Sequence, residues 1–306
     1  MEKQFYTFCS NIKLTGRQRE DAKQKYRGVS KKLHDHYYDS EFDGGTKFLF
    51  GSYKTKVNVR PLSKDQDVDL LFKIPKETFE KFDGYESNGQ SALLQEVKDI
   101  LKEKYTTTEE IKGWGKVVLV AFSDNTHNVE VLPAYEQEDG TFLIPNTENG
   151  GSWESFDPRK QINNFQSSNS DTDGLTGELC RMIKTWVKNT SSLSYKSFEL
   201  VVDVIDFLES EFEDGADYDE YQEVVKNFFD FLKGKCSSDT KSHVETAFNR
   251  AVKAIEFFDN DKPKEASEEW RKVFGNEFPK VNENPVKERA YQARTIVTPS
   301  APWHKL

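Results

Sequence analysis

The spacing of apolar residues changes about halfway along the chain. Four apolar stripes at helical spacing occupy the second half, over residues 175–187, 198–212, 221–232 and 244–258. The first half mixes strand-like apolar runs at 48–50, 68–74, 116–122, 127–133 and 141–145 with helical patterns at 17–38 and 92–101. A Gly-, Ser- and Asn-rich stretch over residues 150–170 separates the two patterns. We therefore predict an α+β fold of two lobes, a small mixed-sheet lobe over residues 1–165 and a helical lobe over 166–306.

Length and charge limit what the chain can bind. Its 306 residues suffice for two lobes, and its formal net charge is −10. That charge argues against a broad surface for long duplex nucleic acid, but it leaves room for a small nucleotide pocket. The first residues do not resemble a signal peptide, and no apolar run is long enough to cross a membrane. The three scattered cysteines are typical of a reduced cytosol.

Two aspartates interrupt an otherwise apolar strand. Asp67 and Asp69 are two residues apart, so their side chains point to the same face. Two carboxylates on one strand face can hold divalent cations, although a D-x-D pair is also common at solvated strand ends. Glu130 stands between two valines in a later apolar strand and would add a third carboxylate. The pattern predicts a metal site if that later strand lies beside the strand of the aspartates.

A Gly-Ser pair precedes the aspartates by about fifteen residues. Gly51 permits a tight turn and a close approach of the backbone to a ligand, and the Ser52 hydroxyl can bind phosphate. Taken alone, the pair is better explained as an ordinary turn. His127 precedes the Glu130 strand, and the sequence indicates no partner for it.

These motifs together resemble a known enzyme superfamily. The segments FGSYKTKVNVRPLSKDQDVDLLF and HNVEVLPAYEQEDGTFLIPNTENGGSW, followed by RMIKTWVK and SYKSFELV in the helical half, are similar to DNA polymerase β-like nucleotidyltransferases. More narrowly, they resemble the bacterial cGAS/DncV-like nucleotidyltransferases (SMODS-type CD-NTases) of CBASS anti-phage defence. The resemblance covers most of the chain. It implies a bilobed fold whose helical lobe closes over a nucleotide held at the sheet.

The resemblance also implies roles for individual residues. Asp67, Asp69 and Glu130 would be catalytic and would bind two Mg²⁺ ions, with Mn²⁺ as an alternative. The third carboxylate is more often Asp in this family, and Glu is longer by one methylene. For nucleotide binding, the implied residues are Gly51, Ser52, Lys184, Ser197 and Phe198.

Each residue implied in the helical lobe also has a simpler interpretation. In the family, a lysine on the long helix and a serine at the start of the next helix contact the phosphates of the donor nucleotide. Lys184 is otherwise a surface lysine, and Ser197 is otherwise a helix N-cap. Phe198 could stack on a base, although core packing is the better single explanation from the sequence.

The implied reaction is nucleotidyl transfer. A ribose hydroxyl attacks the α-phosphate of a nucleoside triphosphate, and repetition closes a cyclic di- or trinucleotide second messenger. The expected partners are nucleoside triphosphates, a downstream effector activated by the product, and a regulatory protein, in the bacterial cytoplasm and without a membrane. Two other classes stay open: an enzyme of the same fold that modifies RNA or protein, and an inactive nucleotide-binding scaffold. The intact aspartate pair argues against the scaffold.

Overall fold

The computed structural model describes residues 1–63, 66–108, 110–124, 126–213 and 220–282. The described helices are α1 (Glu2–Ile12), α2 (Gly16–Tyr37), α3 (Gly51–Thr55), α4 (Lys76–Asp83), α5 (Gly89–Lys104), α6 (Pro158–Asp171), α7 (Leu175–Asn189), α8 (Ser197–Glu213), α9 (Tyr221–Lys235), α10 (Ser238–Asp259) and α11 (Pro263–Phe274). The described strands are β1 (Lys47–Leu49), β2 (Asp67–Lys73), β3 (Glu110–Trp114), β4 (Val117–Ala121), β5 (Asn128–Glu136), β6 (Phe142–Asn146) and β7 (Ser152–Phe156).

The chain divides into two compact units. One comprises residues 14–164, and the other comprises residues 1–13 together with the chain from Phe165 onward. We predicted a division into residues 1–165 and 166–306, so the structure differs in placing the first helix with the helical unit. The cause is aromatic packing, because Phe5 of α1 meets the edge of Trp270 at a centroid distance of 5.1 Å. Phe8 likewise packs on Phe274 at 4.6 Å.

A mixed sheet forms the centre of the first unit. The strand order is β1-β2-β5-β4-β3, and β6 and β7 continue from the far end of β5. Strands β2 and β5 run parallel, whereas the other pairs are antiparallel. Two helices cover one face, since α2 contributes Val29 and Leu33 and α5 contributes Leu93 and Val97 to one buried cluster with the strands. The opposite face carries the acids at the start of β2 and β5 and, further along the strands, a second buried cluster that includes Leu71, Leu132 and Phe142.

Capping residues mark where two of the helices begin. Helix α2 begins with a capping box, in which the Thr15 hydroxyl accepts from Gln18 N–H and the Gln18 side chain accepts from Thr15 N–H. Helix α6 begins at Pro158, and the Asp157 carboxylate accepts from Lys160 N–H at 3.1 Å. We interpreted residues 150–170 as a loop-like boundary, but they contain β7 and most of α6.

The predicted α+β class is confirmed, with a mixed sheet in one unit and helices in the other. The four helices expected in the second half are present as α7 to α10. Helices α1, α3, α4, α6 and α11 were not predicted, nor were strands β3 and β7 as separate elements. Within the described part of the chain, no helix is both long and apolar enough to span a membrane.

Candidate active site

The strand that carries Glu130 lies directly beside the strand that carries the two aspartates. In the parallel pairing of β2 and β5, Asp69 is the partner of Glu130 and Asp67 is the partner of Asn128. Alternate residues of both strands, including Val68 and Val129, are fully buried under α2 and α5. All three carboxylates therefore point to the opposite face of the sheet. The adjacency on which the predicted metal site depends is confirmed, whereas the roles of the residues stay predictions.

The three carboxylates influence one another electrostatically. Burial, together with the negative charges of Asp67 and Asp69, raises the pKa of Glu130 to about 7. All three side chains are half-buried rather than exposed. A solvated strand end would leave these side chains exposed, so their partial burial disfavours the simpler interpretation of the D-x-D pair. Instead, the cluster is a region of concentrated negative charge that a cation would stabilise.

Gly51 lies against the carboxylate of Asp69. Its φ of +59° falls in the left-handed region, which glycine adopts without strain. A Cβ at this position would lie closer to Asp69 Oδ2 than van der Waals contact allows. In addition, Phe50 N–H donates to the Asp69 carbonyl oxygen at 3.3 Å. The Gly-Ser pair is thus the start of α3 rather than an isolated turn, and it touches β2 at the aspartate itself.

The remaining predicted residues lie in the helical unit. Lys184 is half-buried on α7. Helix α8 begins at Ser197, and the Lys196 carbonyl accepts from Leu200 N–H, so Ser197 is inside the first turn and not at the N-cap. Phe198 is 56% exposed, so the core-packing interpretation is wrong. The exposed ring is available for a ligand.

Glu136 is the other acidic residue of β5, and its partners differ from those of Glu130. Lys73 Nζ lies 2.6 Å from its carboxylate, and Arg159 donates to it as well. Although burial raises the pKa of Glu136, the hydrogen bonds from Lys73 and Arg159 outweigh burial and lower it. Six residues along β5 separate it from Glu130, or roughly 20 Å of extended strand. Glu136 is a structural ion-pair residue.

Sequence reasoning missed Tyr53, which lies in α3 and contacts His127. The tyrosine hydroxyl is 3.2 Å from His127 Nε2, and the two rings meet edge to face. The one sequence signal was the position of Tyr53 directly after the Gly-Ser pair. The partner of this tyrosine comes from a segment more than seventy residues away, which no local pattern identifies.

The carboxylates have the chemistry of a magnesium site. Asp67, Asp69 and Glu130 offer only oxygen ligands, which Mg²⁺ and Mn²⁺ prefer. Among the residues that the structure describes, no group of three or more Asp, Glu, His or Cys side chains is placed to hold a metal ion by itself. Mg²⁺ usually takes only one or two carboxylates and completes its shell with water and substrate phosphates. The open carboxylate cluster fits that mode of binding.

Comparisons with known proteins agree with this geometry. A probable cyclic nucleotide synthase of Bacillus cereus strain VD146 is 23% identical, with 75% of this chain and 81% of the relative aligned. Among solved structures, Escherichia coli MS115-1 CdnC, in a complex with HORMA-deltaN, has a TM-score of 0.65 at 17% identity, covering 91% of this chain and 98% of its own.

Vibrio cholerae DncV in its apo form has the same TM-score at 16% identity, covering 90% of this chain and 95% of its own. These likenesses confirm the predicted polymerase β-like fold. Residues 1–169 match the family described as the Second Messenger Oligonucleotide or Dinucleotide Synthetase domain. This match confirms the predicted nucleotidyltransferase class. The chain is therefore a member of the Second Messenger Oligonucleotide or Dinucleotide Synthetase domain family.

Proposed function

We propose that the protein joins nucleoside triphosphates into a cyclic di- or trinucleotide in a magnesium-dependent reaction. The observation that carries the proposal is the pairing of Asp69 with Glu130 on one sheet face, with Asp67 beside them. Named relatives support it. The Bacillus cereus relative is called a probable cyclic nucleotide synthase, and DncV has been solved with the linear intermediate pppA(3′,5′)pG. CdnC has been solved with ATP.

The sheet unit would hold the reacting phosphates. Asp67, Asp69 and Glu130 would bind two Mg²⁺ ions, or Mn²⁺ in their place. Mg²⁺ at such a site lowers the pKa of the attacking hydroxyl and neutralises charge on the phosphates. Gly51 has no Cβ, so its backbone can approach the triphosphate closely, and the Ser52 hydroxyl would donate to a phosphate oxygen.

The helical unit would supply the other nucleotide contacts. Lys184 provides an ammonium group on a half-buried stem, which suits a phosphate oxygen. Ser197 lies at the start of α8, where its hydroxyl and backbone N–H favour an anion. The exposed ring of Phe198 follows directly and would stack on a base.

The reaction exchanges a phosphoanhydride bond of the triphosphate for a phosphodiester bond. A ribose hydroxyl oxygen forms a bond to the α-phosphorus of the donor, and the bond from that phosphorus to the bridging oxygen of the β-phosphate breaks. Pyrophosphate leaves, and the hydroxyl proton passes to solvent. A further round, in which the last nucleotide attacks the triphosphate end of the first, closes the ring.

We place this activity in anti-phage signalling in the bacterial cytoplasm, with a downstream effector that the cyclic product activates. CdnC, a structural relative, has been solved in a complex with a HORMA protein, and this supports a regulatory protein as a partner here. The net charge of −10 agrees with small nucleotides rather than long duplex nucleic acid as the bound species.

The test is incubation of the purified protein with labelled ribonucleoside triphosphates and Mg²⁺, in parallel with the variant Asp67→Asn/Asp69→Asn. We expect a phosphatase-resistant labelled product and released pyrophosphate from the wild type and neither from the variant. Label on added RNA or on protein would instead identify an enzyme with another acceptor. No pyrophosphate release with Mg²⁺ or Mn²⁺, even when a candidate regulatory protein is added, would identify an inactive scaffold.

A further inference from the structure

His127 is completely buried at the start of the strand that carries Glu130. Its Nδ1 lies 3.3 Å from Asp21 Oδ2, and its Nε2 lies 3.2 Å from the hydroxyl of Tyr53. An ionised carboxylate can accept hydrogen bonds but cannot donate them. Asp21 therefore selects the His127 tautomer that carries the proton on Nδ1. Nε2 is then an acceptor, and Tyr53 O–H donates to it. Three elements, α2, β5 and α3, are thereby connected through one imidazole ring.

Lys25 fixes the segment on which His127 lies. Its side chain is only 9% exposed, and Nζ donates to Asp124 at 2.7 Å and to the His127 carbonyl at 3.2 Å. The same ammonium group is 3.3 Å from Asp21. Burial lowers the pKa of His127, with the nearby Lys25 charge adding to the effect, even though Asp21 acts in the opposite direction. The ring is therefore neutral and held from two sides.

Helix α3 is attached to both strands of the candidate metal site. At its N-terminal end, Phe50 N–H donates to the backbone of Asp69 on β2. One turn further, Tyr53 donates to His127, which is the residue immediately before β5. A short helix of five residues has little stability of its own, so these attachments determine where it lies. Ser52 lies between the two attachment points.

We propose that His127, acting through Tyr53, is a positioning residue that holds the Gly51-Ser52 pair in register with the carboxylates. This inference rests on the proposed function, because it assigns the effect to triphosphate binding at that pair. Neither His127 nor Tyr53 touches the reacting atoms. Loss of their hydrogen bond would let α3 move relative to β5 while β2, β5 and the carboxylates stay in place.

The decisive variant is Tyr53→Phe, which removes one hydroxyl and keeps the ring. Tyr38→Phe is its matched control, because Tyr38 is also half-buried in the same unit and its hydroxyl donates to the Lys73 carbonyl at 3.0 Å. Both changes remove one hydrogen bond and lower stability by a similar amount. They differ in that only Tyr53 is part of α3.

The measurements are melting temperature, kcat and KM with Mg²⁺, using whichever of ATP, GTP, CTP and UTP the wild type binds most tightly. We expect Tyr53→Phe to raise KM about three- to tenfold, the effect of one misplaced hydrogen-bonding group, with a smaller change in kcat. Tyr38→Phe should leave KM within about twofold. The double variant Tyr53→Phe/His127→Gln should be no worse in KM than His127→Gln alone, because both act through one bond.

Equal KM values for Tyr53→Phe and Tyr38→Phe, with wild-type turnover intact, would overturn the inference and leave the proposed function standing. The inference would also be overturned if the KM increases caused by Tyr53→Phe and His127→Gln multiplied in the double variant. A wild type that binds none of the four triphosphates would remove the proposed function and this inference together. Should His127→Gln fail to fold, the comparison of the two tyrosine variants still decides the question.

Discussion

Asp69 and Glu130 are direct partners across the parallel pairing of β2 and β5, and both side chains point away from the face that α2 and α5 cover. Like charges at directly opposed positions destabilise a sheet, and here Asp67 adds a third on the same face. A bound cation would offset this repulsion, which is the role that the proposed Mg²⁺ ions would have.

We predict that Glu130→Gln lowers the rate of pyrophosphate release more than about 100-fold, because even changes around a metal ligand cost 10- to 100-fold. The amide keeps the shape of the side chain and removes its charge. Glu136→Gln is the matched control on the same strand, and it should retain activity within about threefold even though the loss of its ion pairs lowers the melting temperature. A large loss for Glu136→Gln and a small one for Glu130→Gln would move the third ligand to Glu136.

The raised pKa of Glu130 gives a stability prediction for the metal-free protein. An acid whose folded pKa is about 7, against 4.5 in the unfolded chain, favours the folded state fully below pH 4.5 and loses that contribution as pH rises through 7. Glu130→Gln cannot ionise, so in EDTA at pH 8 it should be more stable than the wild type by up to about 3 kcal/mol.

The measurement is the difference in unfolding free energy or melting temperature between the two proteins from pH 4.5 to 8. We expect no difference at the acid end and the full difference at pH 8. Mg²⁺ at pH 8 should reduce the difference in stability between the two proteins, because the cation stabilises the ionised carboxylate of the wild type. A difference that is independent of pH would show that neither burial nor the two aspartates raises the pKa of Glu130.

A further prediction concerns Gly51 and uses Gly115 as its control. The two glycines have almost the same φ, +59° and +58°, so alanine pays the same backbone strain of about 1–2 kcal/mol at either position. A Cβ at Gly115 meets nothing within 4 Å, whereas one at Gly51 displaces the Asp69 carboxylate. We expect Gly51→Ala to lower the melting temperature more than Gly115→Ala, because only the Cβ at Gly51 meets another atom.

Activity should separate these two variants. Gly51→Ala should lose about 100-fold in kcat/KM, the scale of an ångström-sized displacement at a reacting centre, while Gly115→Ala stays near the wild type. Equal activities would mean that the contact between Gly51 and Asp69 does not matter to the reaction.

The sequence identified the residues of the candidate site better than the contacts between them. Asp67 and Asp69 were identified because strand alternation is a local rule, and it placed both on one face. Glu130 could be included only conditionally, since some sixty residues separate it from Asp69 and pairing of distant strands has no local signal. The contact of Tyr53 with His127 also joins distant segments of the chain, so the sequence did not indicate it. Helix α1 was missed because its apolar side chains pack on α11, a partner near the far end of the chain.

The last prediction concerns Phe198, because packing in the core does not explain an aromatic ring that is exposed. The side chain is 56% exposed at the first turn of α8, so Phe198→Ala should change stability by less than about 0.5 kcal/mol. Stacking of a base on an aromatic ring contributes about 1–3 kcal/mol, which predicts a KM for the nucleoside triphosphate raised about 5- to 100-fold.

Tyr85→Ala is the comparison for that change, since Tyr85 is 48% exposed in the sheet unit and has no proposed role in binding. Its KM should match the wild type. Phe198→Leu should recover little of the loss, because leucine keeps apolar area but offers no π-face to a base. If Phe198→Leu restores KM fully, the side chain acts through hydrophobic contact, and the stacking role is wrong.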